Sequence, residues 1–200
     1  MFDAVLRRLV DKPLHIIAVR VARAGLSANA LTFSGALVAL AAALAIVENH
    51  MPLAIAFIAA SRILDGLDGA VARINGPTAW GGYLDSLADY VFYVSIPVAF
   101  GLASPTHLVP ALLLIASFTL TAVSFLAYAA IAAHQVPTET EPGRKAFIYS
   151  SGLMEGGETI LFFLLFCLLP TYFPELALAF AALCLATIAQ RVALAAKNFQ

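Results

Sequence analysis

Asp65-Gly66-Leu67-Asp68-Gly69-Ala70-Val71-Ala72-Arg73, then a short polar turn, then Gly81 and Asp85-Ser86-Leu87-Ala88-Asp89, set four aspartates and an arginine between long apolar runs. The chain as a whole is 62% hydrophobic and 12% charged over 200 residues. Its mean hydropathy of +0.93 is that of a polytopic membrane protein. A carboxylate near the middle of a membrane helix costs roughly 2.5–3.5 kcal/mol on insertion scales. Four of them need compensation, and divalent cations are suited to supply it.

Asp65 and Asp68 are three apart, so a helix places them on one face, about 60° apart. Asp85 and Asp89 are four apart and again share a face. The segment Asn75-Gly76-Pro77-Thr78 is expected to reverse the chain before Gly81. Two antiparallel helices then present two carboxylates each towards one another. Such a set of oxygens suits hard ions such as Mg²⁺ or Mn²⁺. Gly69 and Ala72 remove bulk beside the acids, and Arg73 offers a planar fork to a phosphate. Metals held by carboxylates next to an arginine point to phosphoryl chemistry, with one aspartate removing a proton from an attacking hydroxyl. An ion path or a helix-locking charge network also uses buried aspartates, but neither explains the glycines and arginine at these offsets.

The pattern Asp-x2-Asp-Gly-x2-Ala-Arg-x7-Gly-x3-Asp-x3-Asp resembles the signature of the CDP-alcohol phosphotransferases (CDP-alcohol phosphatidyltransferases). Asp65, Asp68, Gly69, Ala72, Arg73, Gly81, Asp85 and Asp89 fill every fixed position. Many members have eight residues between the arginine and the glycine; here there are seven. The resemblance implies transfer of the phosphoalcohol part of a CDP-linked lipid, such as CDP-diacylglycerol, to a hydroxyl acceptor, with release of CMP in phospholipid synthesis. It implies two ions, Mg²⁺ or Mn²⁺, bridged by Asp65 and Asp85, with Asp68 completing one site and Asp89 the other. Asp89 is by the same resemblance the general base. Gly69 and Arg73 are implied at the CDP pyrophosphate, Thr78 at the nucleotide, and Asn29 and Thr32, more loosely, on the nucleotide side. The implied fold is six transmembrane helices with an interfacial N-terminal helix, commonly dimeric.

The rest of the chain is compatible with one domain over 1–200, an arm at 1–28 and a six-helix bundle at 30–194. Residues 2–26 do not form a signal peptide, since Arg7, Arg8, Asp11, Lys12 and Pro13 break the apolar run. Pro13 is expected to start a helix, with Leu14, Ile17 and Val21 on one face, lying in the membrane interface with basic residues near headgroups. Ser27 or Asn29 is a plausible cap for the first span. Spans are expected at 30–48, 52–73, 81–102, 107–133, 147–169 and 173–194, each long enough for ~30 Å of hydrocarbon. Lysines and arginines avoid the connections between first and second, third and fourth, and fifth and sixth spans. The positive-inside rule therefore puts both termini and the aspartate cleft on the cytoplasmic side of the cell or inner membrane.

Outside the pattern, Arg62 is either a counter-ion to the acidic cluster or a phosphate ligand. Arg144 and Lys145 either bind an acceptor phosphate or only mark the inner face; they favour a glycerol-phosphate-type acceptor. Glu155 and Glu158 share a face at membrane depth and are expected in the interior cleft, lining an acceptor pocket or pairing with Arg62 or Arg144. Some family branches place an arginine after the first glutamate, where this chain has Gly156, which weakens an inositol-phosphate reading. Cys167 and Cys184 read as small apolar filler. The net charge of −1 and the lack of a basic stripe argue against nucleic acid as a partner. Other readings are a CDP-aminoalcohol phosphotransferase with a lipid acceptor, a divalent-cation transporter, and a silent lipid-binding scaffold.

Overall fold

A computed structural model describes residues 2–135 and 156–199. All regular structure among them is helical. The helices run in order α1 Phe2–Arg23, α2 Ala28–Val47, α3 Met51–Asn75, α4 Ala79–Ala103, α5 Leu108–Gln135, α6 Gly156–Leu168 and α7 Phe173–Asn198. Short 3₁₀ turns at Pro105–His107 and Pro170–Tyr172 lead into α5 and α7.

Local chemistry sets the helix ends. The Ser27 hydroxyl accepts from the Ala30 N–H at 3.2 Å and caps α2. α3 ends at Gly76, whose φ of +94° an L side chain rarely adopts. Pro77 follows, and the Thr78 hydroxyl accepts from the Gly81 N–H at 3.0 Å to open α4. The expected reversal at Asn75–Thr78 is thus present. α1 differs from expectation. It begins at Phe2 and runs through Pro13 instead of starting there. Pro13 is exposed, so the carbonyl one turn earlier can be solvated where the proline lacks an amide. Leu14, Ala18 and Val21 pack inward, and Ile17 is 45% exposed. Ala18 lets α1 lie close upon Leu67, Ala70 and Val71 of α3.

Among the described residues, four helical segments are long and apolar enough to cross a membrane: Ala28–Val47, Ala79–Ala103, Pro105–Ala132 and Pro170–Asn198. The chain is an integral membrane protein. α3 is as long, but it carries Arg62, Asp65, Asp68 and Arg73; charge sets it apart, not length. α6 spans 13 described residues, and the start of the expected fifth span lies outside the described residues.

α2 is built from small residues where it packs: Gly35, Ala39, Ala42 and Ala45 are buried. The Ser61 hydroxyl of α3 donates to the Gly35 carbonyl at 2.9 Å. α2 packs extensively on both α3 and α4, whereas those two have little direct contact. α2 is therefore wedged behind the expected pair, and Asp65 and Asp89 face one another across the cleft with Arg62 between them. Beyond the cleft the bundle closes on aromatic rings. Phe92, Phe100, Phe163, Phe166, Phe173 and Phe180 are fully buried, and Phe100 stacks on Phe173 with centroids 4.5 Å apart.

Candidate active site

The C-terminal turns of α3 and the N-terminal turns of α4 line the cleft and bring all four pattern aspartates to it. Their surroundings differ. Asp68 is 4% exposed, and its Oδ2 accepts from the Thr32 hydroxyl of α2 at 2.6 Å. Asp65 and Asp89 are about a third exposed, and Asp85 is exposed. Arg62, one turn before Asp65, donates through Nη1 to Asp89 Oδ1 at 2.8 Å and lies 3.4 Å from Asp65 Oδ1. Of its two expected roles, the structure shows the counter-ion.

Among the described residues, no three acidic, histidine or cysteine side chains converge closely enough to enclose an ion as they stand. The donor set nevertheless fits a hard divalent cation. It consists of carboxylates alone, and a cationic nitrogen already sits between oxygens from two helices. Asp65 and Asp89 each share one oxygen with that nitrogen and keep the other.

The residues expected around the nucleotide fall into two groups. Thr78, Asn29 and Gly81 meet: a Cβ built on Gly81 would lie 3.0 Å from Thr78 Oγ1 and 3.3 Å from Asn29 Oδ1. Gly69 and Arg73 also adjoin, with a Gly69 Cβ 3.4 Å from Arg73 Nη1, and Arg73 is exposed at the end of α3. Thr32 is 7% exposed and donates to Asp68.

Next to the cleft is a cavity of about 330 Å³ among α4, α5, α6 and α7, lined by Asp89, Tyr93, Thr121, Thr159 and Arg191, with Phe180 among the apolar walls. Asp89 therefore faces both cleft and cavity. Arg191 donates to the Thr121 carbonyl at 2.9 Å and to Ser124 Oγ at 3.2 Å. Sequence reasoning took Arg191 only as a marker of membrane side. The available signal was a lone arginine two turns before the end of an apolar helix, which favours an interior role. From α6 the cavity wall includes Gly156 and Thr159; Glu158 is half-buried and not among the lining residues described. Arg144, Lys145 and Glu155 lie outside the described residues. Cys167 and Cys184 are buried, as filler would be, and Cys184 also borders the cavity.

The CDP-alcohol phosphatidyltransferase family matches residues 26–196. The inner membrane protein YnjF of Escherichia coli (strain K12) is 42% identical over 187 residues, covering 90% of this chain and 89% of that protein. The archaetidylinositol phosphate synthase of Methanothermobacter thermautotrophicus is 44% identical over 89 residues, covering 44% of this chain and 42% of its own length. Among solved structures, the phosphatidylinositol phosphate synthase of Mycobacterium tuberculosis with CDP-DAG bound superposes with a TM-score of 0.72 at 17% identity, over 90% of this chain and 91% of that one. The same synthase in complex with manganese and citrate gives a TM-score of 0.64 at 18% identity, over 90% of this chain and 87% of that one. At such identities the likeness is one of fold.

Proposed function

This chain belongs to the CDP-alcohol phosphatidyltransferase family, and from that premise we propose that it moves a phosphatidyl-type group from a CDP-linked lipid to a hydroxyl acceptor inside the bundle. The observation that carries the proposal is that Asp89 belongs at once to the aspartate cleft and to the lining of the cavity. The donor pyrophosphate lies in the cleft, near Gly69 and Arg73, with the nucleotide towards Thr78 and Asn29. The acceptor occupies the cavity. Its hydroxyl oxygen attacks the lipid-side phosphorus, the bond to the CMP oxygen breaks, CMP leaves, and Asp89 takes the hydroxyl proton.

Asp65, Asp68, Asp85 and Asp89 would hold Mg²⁺ or Mn²⁺, two ions as in the resemblance. Bound metal would neutralise the pyrophosphate and the developing charge. The Arg191 guanidinium on the cavity wall favours an anionic acceptor, and Arg144 and Lys145 belong to the same proposal. Six spans, an interfacial α1, one domain over 1–200, a homodimer, and a cytoplasmic cleft with both termini inside complete it. A cleft at that boundary keeps a lipid tail in the bilayer and CDP in water.

The test is CMP release by the purified chain with Mg²⁺ and CDP-diacylglycerol, across a panel of acceptors. Acceptor-dependent release that Asp89→Asn lowers by about 100-fold or more is expected. Asp89→Asn is expected to keep much of the metal binding. Near-wild-type turnover in that variant overturns the base assignment. Release only with CDP-choline or CDP-ethanolamine replaces the donor, and metal flux in liposomes without any CMP replaces the reaction.

A further inference from the structure

Arg62 has no place in the eight-position pattern, yet it ties the cleft together. Its guanidinium carbon lies 3.9 Å over the Phe92 ring of α4. Nη2 donates to Ser61 Oγ at 3.3 Å, and Ser61 is itself anchored on the Gly35 carbonyl. The ring sets the plane of the fork and Ser61 sets its roll. Nη1 is thereby a fixed donor, 2.8 Å from Asp89 Oδ1 and 3.4 Å from Asp65 Oδ1. The side chain is only 12% exposed, so water has little access to loosen it. Because α3 and α4 otherwise scarcely touch, this fork is a short link across the cleft at Asp89.

We propose that Arg62 is a positioning residue for Asp89, committing Oδ1 to the fork so that Oδ2 is the oxygen turned to the ion side of the cleft and to the acceptor hydroxyl. The proposal rests on the assignment of Asp89 as base. A carboxylate held at one oxygen by a rigid donor loses its rotation, and a base must sit within hydrogen-bond reach of its proton. The same positive charge opposes a divalent ion at Asp65 and Asp89. Loss of Arg62 thus lowers turnover while tightening ion binding, a pair of effects that a merely structural residue does not produce.

The experiment uses the full chain purified in detergent, as wild type, Arg62→Gln, Arg62→Lys and Phe92→Leu. Mn²⁺ binding is read by the electron paramagnetic resonance of free Mn²⁺ without substrate, and kcat and donor KM are read from CMP release. Arg62→Gln is expected to lower kcat by roughly 10–100-fold with donor KM within about 3-fold, and to bind Mn²⁺ about 3-fold tighter or more. Arg62→Lys keeps the charge without the planar fork and is expected to regain part of the turnover at wild-type Mn²⁺ affinity. Phe92→Leu keeps the charge but frees its plane, so kcat falls and Mn²⁺ affinity stays.

A kcat for Arg62→Gln within about 2-fold of wild type, or weaker Mn²⁺ binding in that variant, overturns the proposal. If Arg62→Gln does not yield monodisperse protein, Phe92→Leu decides: lowered kcat at unchanged Mn²⁺ affinity supports it, and unchanged kcat overturns it. Absence of CMP release in the wild type defeats the function itself, whereas a wild-type reaction indifferent to Arg62 defeats only the positioning.

Discussion

Asp68 and Asp85 are both fixed positions of the motif, but one is nearly closed from solvent and the other is exposed. A buried carboxylate requires a donor, and Thr32 supplies one at 2.6 Å. That short contact is charge-assisted, a class worth about 1.5–3 kcal/mol. Thr32→Val keeps the shape and removes the donor, leaving Asp68 free to turn. We expect the Mn²⁺ concentration for half-maximal CMP release to rise several-fold, with Thr32→Ser close to wild type. Matching Mn²⁺ dependences for the Val and Ser variants would refute the role of the hydroxyl. Thr32, which the resemblance places on the nucleotide side, is thus also bonded to Asp68. The Asn-x-x-Thr spacing finds the residue but cannot tell which of two neighbouring groups its hydroxyl meets, since that depends on the rotation of α2 against α3.

Helix ends form the side of the cleft proposed for the nucleotide. Gly81 receives the Thr78 cap through its amide, and its missing Cβ leaves room for Thr78 Oγ1 and Asn29 Oδ1. Gly81→Ala forces both polar groups back by a few tenths of an ångström and strains a cap worth about 1 kcal/mol. Gly82 has nothing within 4 Å of a built Cβ, so Gly82→Ala is a matched control. Gly81→Ala is expected to raise the donor KM several-fold while Gly82→Ala leaves it unchanged; equal donor KM values would remove Gly81 from the nucleotide side. At this scale much was legible in advance. The Asn75–Thr78 reversal, the Ser27 cap and the carboxylate faces follow from local spacing and turn chemistry. What local spacing lacks is the partner of each helix. It set α3 opposite α4 across a polar cleft, but it does not show that the small residues of α2 let that helix take the intimate contacts with both. Nor does it show that α1 packs on α3, an approach that Ala18 permits. Arg191 entered as a topological marker because its distance from Asp89 in sequence hides their shared cavity.

The basic residues also determine a prediction for the molecule as a whole. α3 carries four charges inside a helix of 25 residues, which by composition alone sets it apart from the four apolar candidates. The fold offsets those charges: Arg62 pairs with Asp65 and Asp89, and Asp68 is bonded to Thr32. A helix whose charges face a protein cleft can still cross, because its other surfaces, such as Ile63 at 59% exposure, remain apolar. If α3 crosses, its two ends lie on opposite sides. Glu48 just before it, Asn75 at its end and Thr171 before α7 are all exposed, so each accepts a single cysteine, while Cys167 and Cys184 stay buried. In intact cells a membrane-impermeant maleimide should label Glu48→Cys and Thr171→Cys, but reach Asn75→Cys only after lysis. Labelling of 48 and 75 alike from outside would mean that α3 does not cross and that the cleft is not cytoplasmic. Labelling of 75 alone would invert the bundle, against the run of basic residues from Arg20 and Arg23 to Arg73 and Lys197, and would put the aspartates on the face opposite the nucleotide-linked donor.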